Sequence, residues 1–248
     1  MGQSSKSMSK SAGKREVNEA QINNPDAQAD VRDIVHAQKL SIHRTTITTP
    51  HPSRSVRQIY RGDFSGIQKE AKDPDNPHPR RLRKYLVATD LSSEATHALE
   101  WCVGTVLRDG DTLLAVYCVD EELGIVDAED DIQVHARAIA QSTATPIFGA
   151  TTPSLPVASG LTKLDPGTVS GQASPIGIRP KAEAERFRAV RDITERVEKL
   201  LRKTKLQVKV VIEVIHCKSP KHLITEVIDL VSPTLVILGS RGRSALKG

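Results

Sequence analysis

The residues able to do chemistry gather at the ends of the chain's apolar runs. One run, Leu235–Leu238, leads into Gly239, Ser240, Arg241, Gly242 and Arg243. Four aliphatics in a row read as a strand buried on both faces. Glycines just beyond it let a backbone turn with its N–H groups outward, which is how a loop cradles phosphate. A Gly-x-x-Gly after a strand is more often an ordinary turn, so the spacing alone decides nothing. Arg241, Arg243 and Lys247 are placed to neutralise phosphates, although a charge run after a glycine turn is more often a solvated face. A second run, residues 85–88, ends in Ala88, Thr89 and Asp90. Asp90 has two readings of equal standing, an acceptor for ligand hydroxyls or the cap of the helix that follows. A third run, Thr112–Val119, carries Cys118 near its end. The chain has no Gly-x4-Gly-Lys-Ser/Thr loop, no Gly-x-Ser-x-Gly elbow and no His-Glu-x-x-His, so binding or at most slow hydrolysis is expected rather than fast catalysis.

The elements that position these residues alternate. After the strand at 85–88, Ser92 or Ser93 caps a helix whose Ala95, Ala98, Leu99, Cys102, Val103, Val106 and Leu107 form one apolar face, ending near Asp109 and Gly110. Trp101 flanks that face and is expected to pack. The near-continuous apolar strand Thr112–Val119 follows. After an insertion come a helix over 181–203 with Ala184, Phe187, Val190, Thr194, Val197 and Leu201 inward, a strand over 208–215, the helix Pro220–Val231 and the strand Leu235–Leu238. This order predicts an α/β fold, an open parallel sheet with helices on both faces. With strand order 3-2-1-4, the carboxyl ends of the first and fourth strands border the ligand crevice. Ala88, Thr89 and Asp90 then face Gly239 to Gly242, with Cys118 on the rim.

The remainder is read from composition. Residues 1–84 hold sixteen Lys+Arg against nine Asp+Glu, and the rest of the chain nineteen against twenty-one, so the basic charge belongs to the leader. Residues 1–80 show no sustained apolar period and are expected to be a disordered basic leader, with at most a helix over 27–40 that forms transiently or on a partner. Residues 121–180 read as a flexible insertion, acidic at first, with a short helix over 127–140. Residues 141–180 hold six prolines and five glycines. Cys102, Cys118 and Cys217 lack disulfide or zinc spacing. No transmembrane run or secretory signal is seen, so a cytoplasmic protein is expected, with the nucleus left open. The first residues approach a myristoylation signal, but Lys6 stands where Ser or Thr is wanted.

The segment Leu86-Val-Ala-Thr-Asp90-Leu-Ser, the strand ending Tyr117-Cys-Val-Asp120 and the run Leu235-Val-Ile-Leu-Gly-Ser-Arg-Gly242 with Leu246 together resemble the universal stress protein family. The resemblance covers residues 85–119 and 181–248. It implies a Rossmann-like, nucleotide-binding alpha-hydrolase-like domain over 81–248, with ATP, accompanied by a divalent ion such as magnesium, at the strand ends. In such proteins the acid at the first strand end contacts adenosine, which falls on Asp90 with Ala88 and Thr89 beside it. A backbone contact to adenine falls on Cys118, and the opening of the phosphate loop on Gly239 to Arg243. The family's third loop glycine and its closing fifth strand, which often carries a homodimer contact, would fall beyond Gly248. The implied function is a stress-response or signalling module. The alternative is an interaction scaffold without nucleotide, docking protein partners through residues 1–80 and 121–180 and regulated by phosphorylation at Thr49, Thr145, Thr152 or Ser174, each followed by proline. Nucleic-acid or anionic-membrane binding by the leader ranks lowest, since it has few aromatics.

Overall fold

The computed structural model describes residues 25–47, 49, 53–119, 129–144 and 178–239. The elements in chain order are α1 (Pro25–Lys39), β1 (Ile42–Ile47), β2 (Arg54–Arg61), α2 (Phe64–Lys72), β3 (Lys84–Ala88), α3 (Ser93–Trp101), β4 (Thr112–Val119), α4 (Glu129–Ala144), α5 (Ile178–Leu201), β5 (Lys209–His216), α6 (Pro220–Val231) and β6 (Leu235–Leu238). One six-stranded sheet has the order β1-β2-β5-β4-β3-β6. Within it β5, β4, β3 and β6 are parallel, as the alternating elements imply, and stand in the common 3-2-1-4 arrangement. Strands β4 and β5 are buried almost throughout and are covered on both sides. On one face Leu99, Val103, Val190, Ile193 and Val197, from α3 and α5 and the turn after α3, pack with Val87, Ala115 and Ile212. On the other, Ile132, Ala136 and Ile139 of α4 and Leu223, Val227 and Val231 of α6 pack with Leu86, Leu114 and Val211. The fold is a Rossmann-like α/β fold. Helix α3 gives way earlier than its apolar period suggests, to a π-helical turn over Cys102–Val106.

The leader's expected boundary at residue 80 is corrected. Strands β1 and β2 form an antiparallel hairpin, and β2 pairs antiparallel with β5, extending the sheet. Composition hid this because the charges of β2 lie inside. Arg54, 7% exposed, donates from Nε and Nη2 to the two oxygens of Glu213 at 2.8 and 2.7 Å. Arg61 is fully buried and donates to the Ala37 and Thr204 carbonyls at 2.8 and 2.7 Å. Such charges survive burial only with partners. Here those partners stand elsewhere in the chain, so a local reading of β2 finds only solvated arginines. Residues 1–24 lie outside the described residues.

The insertion is corrected in part, since α4 is a core helix within it and α5 starts at Ile178. Residues 120–128 and 145–177 lie outside the described residues. Two expected inward positions of α5 are also corrected. Ala184 and Phe187 are exposed, and Arg186, Ala189 and Ile193 are the buried positions instead. Among the described residues strand β6 borders only β3, so the expectation of burial on both faces fails at its ends: Leu235 is 39% and Leu238 60% exposed.

Lys209 of β5 ties the sheet to the end of α4. It is 2% exposed, and its Nζ donates to the Ser142 and Thr143 carbonyls at 3.1 and 2.9 Å, serving acceptors in the last helical turn. Burial lowers its pKa from 10.5 to about 8. Between these values the unfolded chain holds a proton that the folded chain sheds, so this group's contribution to stability rises with pH, and its full penalty applies below about pH 8. The Lys209→Met variant removes that titration while leaving Tyr60, whose pKa burial raises to about 12, in both proteins. Urea unfolding at about pH 7 and pH 10 is expected to show wild type gaining about 1–3 kcal/mol relative to Lys209→Met. A pH-independent difference between the two proteins would contradict this.

Candidate functional site

The reversal of strand order lies between β3 and β6, and the chain leaving β3 is built as a braced turn. The Thr89 N–H donates to the Val116 carbonyl at 2.9 Å, extending the ladder one residue past β3. Leu91 then adopts φ +65°, a left-handed backbone that costs a residue with a Cβ about 1–2 kcal/mol. Thr89 Oγ1 accepts from the Leu91 N–H at 3.2 Å and Asp90 Oδ1 from the Ser92 N–H at 3.0 Å. Ser92 caps α3, its Oγ accepting from the Ala95 N–H at 3.2 Å. Of the two sequence readings of Asp90, the helix cap therefore belongs to Ser92. Asp90 holds the preceding turn, half-buried on the wall of a crevice.

The crevice encloses about 280 Å³ between the carboxyl ends of β3, β4 and β6 and the starts of α3 and α6. Its apolar wall comes from Ala88, Val116 and Ile224, and its polar wall from Thr89, Asp90 and Ser92. Gly239 closes one side. A Cβ there would meet the Ala95 nitrogen at 2.9 Å and the Glu94 carbonyl carbon at 3.0 Å, so glycine is required by close approach to the first turn of α3. Cys118 is half-buried on the opposite side. Burial, reinforced by neighbouring Cys217, raises its thiol pKa far above the ordinary value. The group stays protonated and offers a weak donor rather than a nucleophile.

The fold thus brings together Ala88, Thr89, Asp90, Cys118 and Gly239. Ser240, Arg241, Gly242 and Arg243 lie outside the described residues. Sequence reasoning missed Val116, Pro220 and Ile224 as lining residues and took Ser92 only as a cap. The available signal was Pro220 at the first turn of α6, because the helix after β5 has to start at the same end of the sheet. A second groove, of about 510 Å³, lies on the outer side of Gly239 between α3 and β6. Trp101, expected to pack, forms part of its wall and is 45% exposed. Among the described residues no group of three or more His, Cys, Asp or Glu gathers as a metal site, and no helix is long and apolar enough to cross a membrane.

A Schizosaccharomyces pombe (strain 972) protein described as uncharacterized is 35% identical over 199 residues, which make up 80% of this chain and 24% of the relative. The chain spans about a quarter of the length of the relative it matches. No family model matches the chain. No solved structure matches it either.

Proposed function

We propose that the crevice binds an adenine nucleotide, with ATP as the first candidate, and that the chain acts as a stress-response or signalling module whose conformation follows occupancy. The observation carrying this reading is the meeting of Asp90 and Gly239 across the β3/β6 reversal, the place where open parallel sheets take ligands. The lining suits a nucleoside: Asp90 is an acceptor for ribose hydroxyls, and Ala88, Val116 and Ile224 offer an apolar face to a base. The phosphates would extend past Gly239. Asp90 is the lone carboxylate among the described lining residues, too few ligands to hold a divalent ion, so magnesium would arrive on the phosphates. No histidine lines the described crevice and Cys118 stays protonated, which favours binding over rapid turnover.

Calorimetric titration of the full chain with ATP, with and without magnesium, tests the reading. Wild type is expected to bind. Asp90→Ala is expected to lose about 1–3 kcal/mol of binding free energy with its helical content unchanged by circular dichroism. Equal affinities would reduce Asp90 to a brace of the Leu91 turn, and no binding by wild type would end the nucleotide reading. The alternative, an interaction protein without nucleotide, draws support from the exposed Trp101, Leu235 and Leu238 near the β6 edge.

A further inference from the structure

The hairpin creates a second cavity, at the opposite edge of the sheet from the nucleotide crevice. It encloses about 250 Å³ between the turn end of β1 and β2 and the first half of α5. Side chains alternate along a strand, so Ser55 and Arg57 face α5 while Arg54 turns the other way to Glu213. Arg57 is poorly served there. Its Nη1 reaches Thr194 Oγ1 only at 3.5 Å, the limit of a hydrogen bond, and its buried Nε has no hydrogen-bond partner among the described residues. A second guanidinium, Arg186, lines the same cavity and is 6% exposed. Thr46 and Ser55 add hydroxyls, and Thr49, whose own hydroxyl donates to the Arg54 carbonyl at 3.0 Å, closes the end. Glu183, exposed, is the acid among the described lining residues. Phe187, 52% exposed, supplies an aromatic wall.

A buried donor without an acceptor calls for an explanation, and the planar fork of arginine matches the oxygens of a phosphate better than any other side chain does. We propose that this cavity binds a small phosphate monoester, its phosphoryl oxygens held by Arg57 and Arg186 and its organic part lying against Phe187. The site is independent of the nucleotide crevice, since no residue lines both.

The test is calorimetry on the full chain in phosphate-free buffer, with inorganic phosphate and phenyl phosphate as probes. Wild type is expected to bind both saturably, phenyl phosphate more tightly because it also covers Phe187. Arg57→Gln is expected to weaken phenyl phosphate by about tenfold or more, the scale of losing a charged donor pair. Glu183→Gln removes the countercharge at an exposed position and is expected to tighten binding several-fold. Asp90→Ala is expected to leave both affinities unchanged, and Arg57→Gln to leave ATP binding unchanged, which separates this site from the crevice. Absence of saturable binding by wild type overturns the proposal. So does an unchanged affinity in Glu183→Gln, an arm that still decides if Arg57→Gln fails to fold.

Discussion

Glu213→Ala is expected to lower the unfolding free energy by about 3–5 kcal/mol, because it strands a buried guanidinium. Glu213 is fully buried in β5, and its carboxylate takes both Arg54 donors and the Ser142 hydroxyl. Burial pushes its carboxyl pKa up while Arg54 pulls it down, and burial prevails. The pair is therefore costly to desolvate, and its importance shows when one partner is removed. Without Glu213, Arg54 Nη2 keeps, among the described residues, the Ala138 carbonyl at 3.1 Å and the Ser142 hydroxyl at 3.4 Å. Replacing both partners, Arg54→Met with Glu213→Leu, is expected to return stability to within about 1 kcal/mol of wild type, since no charge is then left alone. Urea unfolding of Glu213→Ala and of the double variant, each beside wild type, measures this. A loss below about 1 kcal/mol for Glu213→Ala would mean that the hairpin is held to the sheet by its backbone ladder and apolar contacts alone.

The parts of the fold legible in the sequence are those whose information is local. Thr112–Val119 and Leu235–Leu238 are bounded by turn residues and apolar within, and the strands occupy those residues. Pro220–Val231 announces itself by Pro220 and by Leu223, Val227 and Val231 four apart, all buried. That the sheet is parallel followed from the alternation of elements, and the common 3-2-1-4 order, taken as a condition, then brings Ala88, Thr89, Asp90 and Cys118 to Gly239. The hairpin was not legible, because Arg54, Gln58 and Arg61 look solvated until their acceptors are known. Gln58 donates to the Ser142 carbonyl at 2.7 Å, a partner 84 residues away. Helix α4 was seen only as a short possibility in an acidic stretch. Ile132, Ala136 and Ile139 make a three-residue stripe that means little until α6 and the sheet stand opposite it. At the site, Leu91 was unreadable, since nothing in a leucine forecasts a left-handed backbone. The turn it forms is what sets Asp90 on the crevice wall.

Gly239→Ala is expected to damage the crevice more than the size of a methyl group suggests. The added Cβ would lie 2.9 Å from the Ala95 nitrogen and 3.2 Å from its Cα, and these are backbone atoms that cannot swing aside. One of two elements has to yield. Helix α3 is fixed by its Ser92 cap and by Ala98 and Leu99 in the core, whereas β6 has, among the described residues, the single strand neighbour β3 and ends with Leu238 mostly exposed. The strand is therefore the element that shifts, carrying the outer wall of the crevice with it. Overpacking of this kind costs about 1–3 kcal/mol of stability. On the nucleotide reading, ATP affinity is expected to fall by about tenfold or more, equivalent to about 1.4 kcal/mol. Gly104→Ala is the matched control: its Cβ would meet nothing within 4 Å, and an alanine in that helical turn is expected to be neutral or to stabilise by about 0.4–1 kcal/mol. Thermal unfolding and ATP titration of the two variants separate the cost of the methyl group from the cost of its position. If Gly239→Ala matches Gly104→Ala in both, β6 accommodates a side chain there, and the glycine serves the chain beyond residue 239 rather than the contact with α3.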